Sequence, residues 1–245
     1  GQTLFPYTTL FRSAKALAST EGWSSSTTNC AIGNNLSANN ATGFSACPAG
    51  DYNGSYNFFG SIARFWSATQ SSNGLAYFRL LSYNSTGVSK NYYDKGYGYS
   101  VRCVRNEGNI TITAPSCPGA PTVTDIDGNV YNTIQMGDQC WMRENLRTTK
   151  YANGTTISFG TTTSSTTAYR YYPNNNSANV TDYGYLYNWA AVMKGASSSN
   201  SNPSGVQGIC PTGWHVPSDA EWDVLVNYVK SQSQYVCGDD TNYIA

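Results

Sequence analysis

The feature that most constrains the fold is residues 210–222, which read Cys-Pro-Thr-Gly-Trp-His-Val-Pro-Ser-Asp-Ala-Glu-Trp. Ser218 and Glu221 have the spacing of a capping box, in which each side chain accepts the backbone N–H of the other residue. Pro217 precedes the cap, where its missing N–H costs nothing. Apolar side chains then recur at helical spacing, at Trp222, Leu225, Val226 and Val229. The stretch therefore predicts an amphipathic helix over about residues 218–230.

The rest of the chain predicts one more helix and several short strands. Residues 183–194 follow a capping Asp182, precede a glycine and carry apolar side chains on one helical face. Two segments flank an Asp-Gly-Asn turn and predict a hairpin: residues 123–125 and 130–135. Alternation predicts strands at residues 76–83 and 99–105. Segments rich in Ser, Thr, Asn and Gly predict loops at residues 150–181 and 195–209.

Composition excludes several classes of partner. Charged residues make up only 11% of the chain and the formal net charge is zero, whereas about 25% charged residues is usual. No basic surface is therefore expected to attract nucleic acid or an anionic membrane. No apolar run reaches the roughly 18 residues of a membrane span. A surface of Ser, Thr, Asn, Gly and Tyr is typical of secreted bacterial modules.

Several motifs resemble the Fibrobacter succinogenes major paralogous domain family, a set of bacterial cell-surface modules. Its signature is similar to Gly-x-Cys-Pro-x-Gly-Trp-His-x-Pro-Ser-x-x-Glu-Trp, which the stretch around Trp214 matches. Residues 122–147 resemble the opening of that domain, and residues 184–191 resemble its first helix. Motifs similar to its closing half lie at residues 43–50, 65–69 and 99–105. Together these motifs cover nearly all of residues 14–245.

The order of the motifs differs from that of the family. The closing half occupies residues 14–107 and the opening half residues 117–245, with a linker at residues 108–116. One permuted module or two spliced halves of neighbouring modules would give this order. We therefore expect a circularly permuted copy in which both halves pack as one domain.

The chain ends support this interpretation. Residues 242–245 continue naturally into residues 14–18 as one helical segment, so Ala245 and Ala14 are expected to lie side by side. Residues 4–13 resemble a translated sequencing-library adapter, which indicates an open reading frame from metagenomic assembly. Residues 1–13 are therefore set aside as an artefact outside the fold. We expect the natural N-terminus, with any signal peptide, to be missing.

The resemblance also implies a fold class. Residues 214–222 are similar to the Trp-Arg-Leu-Pro-Thr-Glu-Ala-Glu-Trp element of sulfatase-modifying factor domains, which have a C-type-lectin-like fold. We therefore expect an α+β, C-type-lectin-like fold with two main helices, short antiparallel strands and long loops. In such a fold the chain ends are adjacent strands, which a nine-residue linker could join at little entropic cost.

Seven cysteines predict disulfides and an oxidising compartment. None lies in a Cys-x-x-Cys pair, and the single histidine cannot complete a zinc site with any local spacing. Their layout favours three pairs: Cys30–Cys237, Cys103–Cys210 and Cys117–Cys140. Cys47 is left over. Six cysteines allow 15 pairings, so other connectivities remain open at this point.

Metal-dependent binding has little support. Asp125, Asp127 and Asn129 mimic the first half of a calcium loop, but Val130 stands where that loop needs glycine and Met136 where it needs glutamate. We expect a turn here and no metal. The Glu-Pro-Asn, Gln-Pro-Asp and Trp-Asn-Asp strings of calcium-dependent sugar-binding lectins do not occur.

No set of residues predicts catalysis. His215 has no patterned partner, so we expect it to make a structural hydrogen bond. The capping box occupies Glu221, and Asp219 and Asp223 are expected on an exposed helix face, which leaves no carboxylate pair for a hydrolase. The resemblance to sulfatase-modifying domains raises the question of an oxidase activity. Such an oxidase needs two reactive cysteines, but Cys103 has no second thiol nearby in the sequence. We expect no catalytic residue and no cofactor.

The aromatic residues are the remaining functional signal. Twenty Tyr and six Trp exceed the needs of the core, and five tyrosines lie in loops rich in Gly, Asn and Ser: Tyr52, Tyr56, Tyr92, Tyr93 and Tyr97. Exposed aromatic faces suit sugar stacking or protein contact. We therefore expect a non-catalytic, secreted or cell-surface, monomeric module of the adhesion type that binds glycan or a surface protein. The alternatives are a structural spacer between tandem copies and, least favoured, the oxidase.

Overall fold

Strands dominate the part of the chain that the structure, a computed structural model, describes: residues 13–106 and 116–235. In this part the strands are β1 (Asp51–Tyr52), β2 (Tyr56–Asn57), β3 (Ile62–Gln70), β4 (Leu75–Ser82), β5 (Ser89–Asp94), β6 (Val104–Arg105), β7 (Thr122–Thr124), β8 (Val130–Met136), β9 (Gln139–Met142), β10 (Ser158–Phe159), β11 (Tyr169–Tyr171), β12 (Leu186–Tyr187) and β13 (Trp214–His215). The α-helices are α1 (Ser13–Leu17), α2 (Val180–Tyr183), α3 (Trp189–Met193) and α4 (Asp219–Ser231). Single 3₁₀ turns lie at Leu36–Ala38, Pro173–Asn175, Ser177–Asn179 and Ser233–Tyr235.

These strands form four sheets. The largest has five antiparallel strands in the order β13-β6-β9-β8-β7. A second sheet joins β3, β4 and β5, also antiparallel. A third joins β10, β11 and β12, in which β10 and β11 are parallel, and β1 pairs with β2. The hairpin predicted around Asp-Gly-Asn is confirmed as β7 and β8.

The β3–β4 hairpin divides the hydrophobic core in two. Successive side chains of a strand point to opposite faces, and both faces of this hairpin are apolar. Phe65 and Leu81 belong to the cluster that contains the apolar stripe of α4. Trp66 and Phe78, on the other face, belong to a second cluster that contains α3. The hairpin is buried on both sides and therefore positions the edge strand β5 at the surface.

The capping box and the helix that follows it are confirmed. Ser218 is the N-cap of α4, its hydroxyl accepts the N–H of Glu221, and the Glu221 carboxylate accepts the N–H of Ser218. Trp222, Leu225 and Val229 are buried, as their spacing predicts. The local sequence contains both the start signal and the apolar stripe, so no distant partner is needed to specify this helix.

The second predicted helix, residues 183–194, is wrong. Gly184 has φ 70°, and a Cβ there would lie 2.7 Å from the carbonyl oxygen of Leu146, so the chain turns sharply at this position. Leu186–Tyr187 is instead the strand β12, paired with β11. Only α3 is helical in the second half of the segment, and Asn188 caps it by accepting the N–H of Ala191.

The predicted α+β, C-type-lectin-like fold with two main helices is therefore wrong as a description of this chain. Among the described residues α4 has 13 residues, whereas the other α-helices have five or fewer. The longest strands, β3 and β4, have nine and eight residues. The molecule is mostly β-sheet because segments with an ambiguous local pattern form strands when they pair with neighbouring strands. This pairing is a tertiary effect.

The two sequence halves share one interior. The strand β6, from the first half, lies between β13 and β9, which belong to the second half. The indole N–H of Trp66 donates to the carbonyl oxygen of Tyr187 at 2.8 Å. The disulfides Cys103–Cys210 and Cys117–Cys140 are present and are two of the three pairs that the layout predicts. The third predicted pair, Cys30–Cys237, includes Cys237, which lies outside the described residues. Ala245 and nearly all of the linker also lie outside them.

Candidate functional site

The five candidate tyrosines do not form one surface. Tyr92 and Tyr93 are adjacent on β5 and each is 47% exposed. Because neighbouring side chains alternate along a strand, they project from opposite faces of the β3–β4–β5 sheet. Tyr92 meets Tyr77 edge-on at 5.7 Å, on the face where Arg79 contacts α4. Tyr93 lies on the other face.

Tyr93 belongs to a continuous group of aromatic rings. Its ring stacks on Phe78 at 6.0 Å and lies 5.9 Å from Tyr97, which is half-buried. Beneath them, Tyr99 is fully buried and meets Phe78 at 4.9 Å. A fourth contact comes from the guanidinium carbon of Arg64, which lies 5.7 Å from the ring centroid of Phe78.

Phe58 extends this group on the far side of Arg64. The guanidinium carbon is 5.4 Å from the ring of Phe58 and 5.3 Å from the ring of Tyr99. We call the group formed by these side chains the aromatic face: Phe58, Arg64, Phe78, Tyr93, Tyr97 and Tyr99. Its solvent-accessible rings are Phe58, Tyr93 and Tyr97, whereas Phe78 and Tyr99 form its floor.

Phe58 is unusual in two respects. It is 52% exposed, although it is a large apolar side chain, and its backbone has φ 59°. The left-handed region costs an ordinary L-residue about 1–2 kcal/mol and normally holds Gly or Asn. Backbone strain of this kind accumulates at functional sites. An exposed aromatic ring in a strained position points to a role outside the hydrophobic core.

Arg64 is held by an ion pair. Its Nη1 donates to Oδ2 of Asp51, and the two side chains are 12% and 0% exposed. Burial raises the pKa of Asp51, and the positive charge of Arg64 opposes that rise. Burial also raises the pKa of Tyr99 well above its ordinary value, so this hydroxyl stays neutral at physiological pH. The base of the aromatic face is thus polar, and the negative charge of Asp51 balances the positive charge of Arg64.

The other two candidates, Tyr52 and Tyr56, belong to a separate cluster. Tyr52 is only 4% exposed, stacks on Tyr171 at 4.2 Å and lies 4.9 Å from Tyr56. Its hydroxyl donates to the carbonyl oxygen of Thr161 at 2.8 Å. Burial raises the pKa of Tyr52 and of Tyr56. The ring of Tyr52 is therefore buried by packing and its hydroxyl is bonded to the backbone, so neither is presented to a ligand. Tyr56 is half-buried beside it.

His215 makes the structural hydrogen bonds expected of it. Its Nδ1 lies 2.7 Å from Oδ1 of Asn106 and its Nε2 lies 2.6 Å from Oε1 of Glu221. Oε2 of Glu221 also accepts the N–H groups of Ser218 and Ser204. His215 is 1% exposed. The contact with Asn106 was missed in the sequence because Asn106 is 109 positions from His215. The contact with Glu221, six positions away, was missed because the capping box was expected to occupy that carboxylate fully.

One expectation about α4 is wrong. Asp219 was placed on an exposed face, but it is 3% exposed and its Oδ1 accepts a hydrogen bond from Arg79 at 2.6 Å. Lys90 pairs with Oδ2 of the same carboxylate. Asp223 has a 52% exposed side chain and also contacts Arg79, at 2.9 Å. Helical periodicity alone could not reveal Arg79, which comes from β4.

The Asp-Gly-Asn loop forms a turn held by its own side chains. Oδ1 of Asp125 accepts the N–H groups of Asp127 and Asn129, both at 2.9 Å. Oδ2 of Asp127 accepts the N–H and the hydroxyl of Thr149 and the hydroxyl of Thr148. These bonds lower the pKa of Asp127 despite its partial burial. In residues 13–106 and 116–235, no three His, Cys, Asp or Glu side chains converge as metal ligands would.

Cys103 and Cys210 are joined to each other, so neither can act as a free thiol. Cys30 is also disulfide-bonded. Cys47 is free and half-buried and lines an open cleft of ≈ 400 Å³ beside Glu144 and Tyr183. Burial raises the pKa of its thiol, which lowers its reactivity at neutral pH.

Sequence reasoning missed four members of the aromatic face: the buried floor rings Phe78 and Tyr99, and also Phe58 and Arg64. The adjacent Phe58 and Phe59 precede Gly60 and Ser61, a Gly/Ser setting like that of the tyrosines chosen as candidates. That signal could have identified Phe58. Arg64 carries no such signal, because its role depends on Asp51, thirteen positions away, and on rings from β4 and from two loops.

The family comparison agrees with the motifs. The model of the Fibrobacter succinogenes major domain matches residues 8–105 and 134–243. Comparisons with curated proteins and with solved structures gave no match. No helix within the described ranges is long and apolar enough to cross a membrane. The family and the disulfides are consistent with a bacterial surface-type module outside the cytoplasm. Because the two matched segments cover most of the sequence, the chain belongs to the Fibrobacter succinogenes major domain family.

Proposed function

We propose that this chain is a non-catalytic, extracellular, monomeric module that binds glycans through the aromatic face. The observation that carries the proposal is the pair of half-exposed rings, Phe58 and Tyr93, beside a half-buried arginine. Aromatic rings present flat apolar surfaces to the C–H faces of sugars, and neighbouring polar groups fix orientation. The disulfides and the family support an extracellular location.

The state of the reactive side chains favours binding over catalysis. His215 and Glu221 are buried and bonded to each other and to backbone groups. The carboxylate of Asp125 is bonded within its own turn, and that of Asp127 is bonded to Thr148 and Thr149. Cys103 lies in a disulfide, whereas the oxidase alternative needs two reactive thiols.

The test is a glycan array with the native protein and two variants. Tyr93→Ala removes a ring from the aromatic face and should lower affinity about tenfold, which corresponds to about 1.4 kcal/mol. Tyr92→Ala removes an equally exposed ring from the opposite side of the same strand and should leave binding unchanged. This control separates loss of the binding surface from general disturbance of β5.

Three outcomes would contradict the proposal. Equal losses from both variants would mean that the aromatic face is not the site. Absence of any glycan signal, together with no thermal shift on adding glycans, would favour the structural spacer. Binding to a surface protein alone, in a pull-down that depends on Tyr93, would assign the face to protein contact.

A further inference from the structure

Three buried polar atoms at the base of the aromatic face have no hydrogen-bond partner: Asp51 Oδ1, Arg64 Nε and Tyr99 Oη. Buried polar groups are nearly always paired in native proteins, so an unpaired group requires a specific explanation. Each unpaired group lowers stability, because it gives up its hydrogen bonds to water and gains none in return. A single such atom would be unremarkable, but three on adjacent side chains form a cluster.

Arg64 contacts both of the other side chains. The Asp51–Arg64 ion pair uses Oδ2 and Nη1, which leaves Oδ1 and Nε without a hydrogen-bond partner of ordinary geometry. The side chain of Asn57 approaches Asp51 closely enough to act against the rise in its pKa. The guanidinium carbon of Arg64 is 5.3 Å from the ring centroid of Tyr99. Five other buried atoms without a partner are known in the described residues, and they belong to side chains outside this face: Ser13, Arg79, Gln135, Arg170 and Trp222.

The chemistry of the three atoms is complementary to a hydroxyl group. A carboxylate oxygen only accepts, a guanidinium N–H only donates, and a phenol hydroxyl does either. A sugar hydroxyl can donate to Asp51 while it accepts from Arg64 or Tyr99. An acidic sugar would bring a second carboxylate next to the unpaired oxygen of Asp51, which is unfavourable. A cationic sugar would be repelled by the positive charge of Arg64.

Resting on the glycan-binding function proposed above, we propose that the aromatic face binds a neutral, hydroxyl-rich sugar ring whose hydroxyl groups pair with Asp51, Arg64 and Tyr99. The ring of Phe58 covers the guanidinium of Arg64 in this structure. A sugar reaches the three atoms when that half-exposed ring turns aside. The same ring then lies against the sugar.

The central test is Tyr99→Phe, which removes the unpaired hydroxyl and keeps the buried ring. The probes are the neutral β-1,4-linked hexaoses of glucose, mannose and xylose, with hexagalacturonic acid as the acidic counterpart. We expect calorimetry to show that the native protein binds at least one neutral hexaose at least tenfold more tightly than the acid. Tyr99→Phe should weaken that binding at least tenfold, and its melting temperature should match or exceed that of the native protein.

The matched control is Tyr187→Phe. The Tyr187 hydroxyl is also buried but donates to the carbonyl oxygen of Thr148 at 2.7 Å. Its removal should lower the melting temperature and leave hexaose binding unchanged. The two variants therefore separate a hydroxyl kept for a ligand from one that stabilises the fold.

The outcomes distinguish this inference from the function on which it rests. Native affinity in Tyr99→Phe, with binding lost in Tyr93→Ala, would overturn the inference and leave glycan binding standing. Preference for hexagalacturonic acid would do the same. If none of the four probes binds, the inference fails, and the glycan-binding function fails with it only when the glycan array also gives no signal.

Discussion

At the scale of single residues, Glu221 shows how one side chain can hold several elements. Its carboxylate closes the capping box of α4, contacts the ring of His215 and accepts the N–H of Ser204 from the preceding loop. It is 1% exposed. A buried carboxylate is stable only when its oxygens are fully bonded. The helix start, the strand β13 and the 200–209 loop therefore depend on one residue.

Glu221→Gln should destabilise the protein by about 2–4 kcal/mol, because the amide lacks the charge and one of the two acceptor oxygens. Urea unfolding, followed by tryptophan fluorescence, measures this loss. Glu21→Gln is the control, since Glu21 is exposed and, within the described ranges, bonds through its backbone carbonyl and not through its carboxylate. A loss below about 0.5 kcal/mol for Glu221→Gln, the range of ordinary surface changes, would show that these bonds contribute little.

Backbone conformation at Phe58 gives a second prediction at this scale. Asn tolerates the left-handed region, whereas a β-branched residue does not. Phe58→Asn should therefore be more stable than Phe58→Val by about 1 kcal/mol or more, although Val is the more apolar residue. The measurement is the free energy of unfolding of both variants in urea. Equal stability would mean that position 58 is not held at positive φ.

At the scale of elements, the contact between α4 and the β3–β4–β5 sheet combines apolar packing with a buried ion pair. Trp222 and Leu225 pack against the cluster that contains Phe65. Arg79, only 4% exposed, donates to Asp219 at the start of the helix. An acidic residue in the first turn also complements the helix dipole. The ion pair thus fixes where along the sheet the helix begins.

Arg79→Ala should cost about 3 kcal/mol, because it leaves the buried carboxylate of Asp219 with one fewer cation. Lys90→Ala removes the other cation on the same carboxylate, but the Lys90 side chain is 44% exposed, so its loss should cost below about 1 kcal/mol. Chemical denaturation of the two variants gives the comparison. Similar losses would mean that burial does not distinguish the two cations.

At the scale of the whole molecule, the two sequence halves interlock rather than lie side by side. The strand β6 supplies the centre of a sheet whose neighbours come from the other half. Cys103 and Cys210, 107 residues apart, join the halves covalently. In the chain-entropy account a loop of that size contributes about 4–5 kcal/mol. Both halves contribute side chains to the same two core clusters.

Cutting the chain at a protease site inserted into residues 108–116 should therefore leave a folded complex. After cleavage we expect one cooperative thermal transition and a single peak in size-exclusion chromatography. The triple variant Cys30→Ser, Cys103→Ser, Cys210→Ser, which also removes the disulfide of Cys30, should still elute as one species after cleavage, since the shared core remains. Two separate transitions, or separation of the cut pieces in this variant, would show that the halves fold independently.

The sequence by itself determined the features whose partners are close in the chain. The capping box, the stripe of α4 and the Asp-Gly-Asn hairpin are local and were predicted correctly. The tertiary structure decided the rest. Residues 186–187 became a strand because β11 lies beside them, and Asp219 is buried because Arg79 reaches it. The aromatic face joins rings from β4, β5 and loops around Arg64 of β3. Local patterns specify torsion angles, whereas burial and pairing depend on which distant segments pack together.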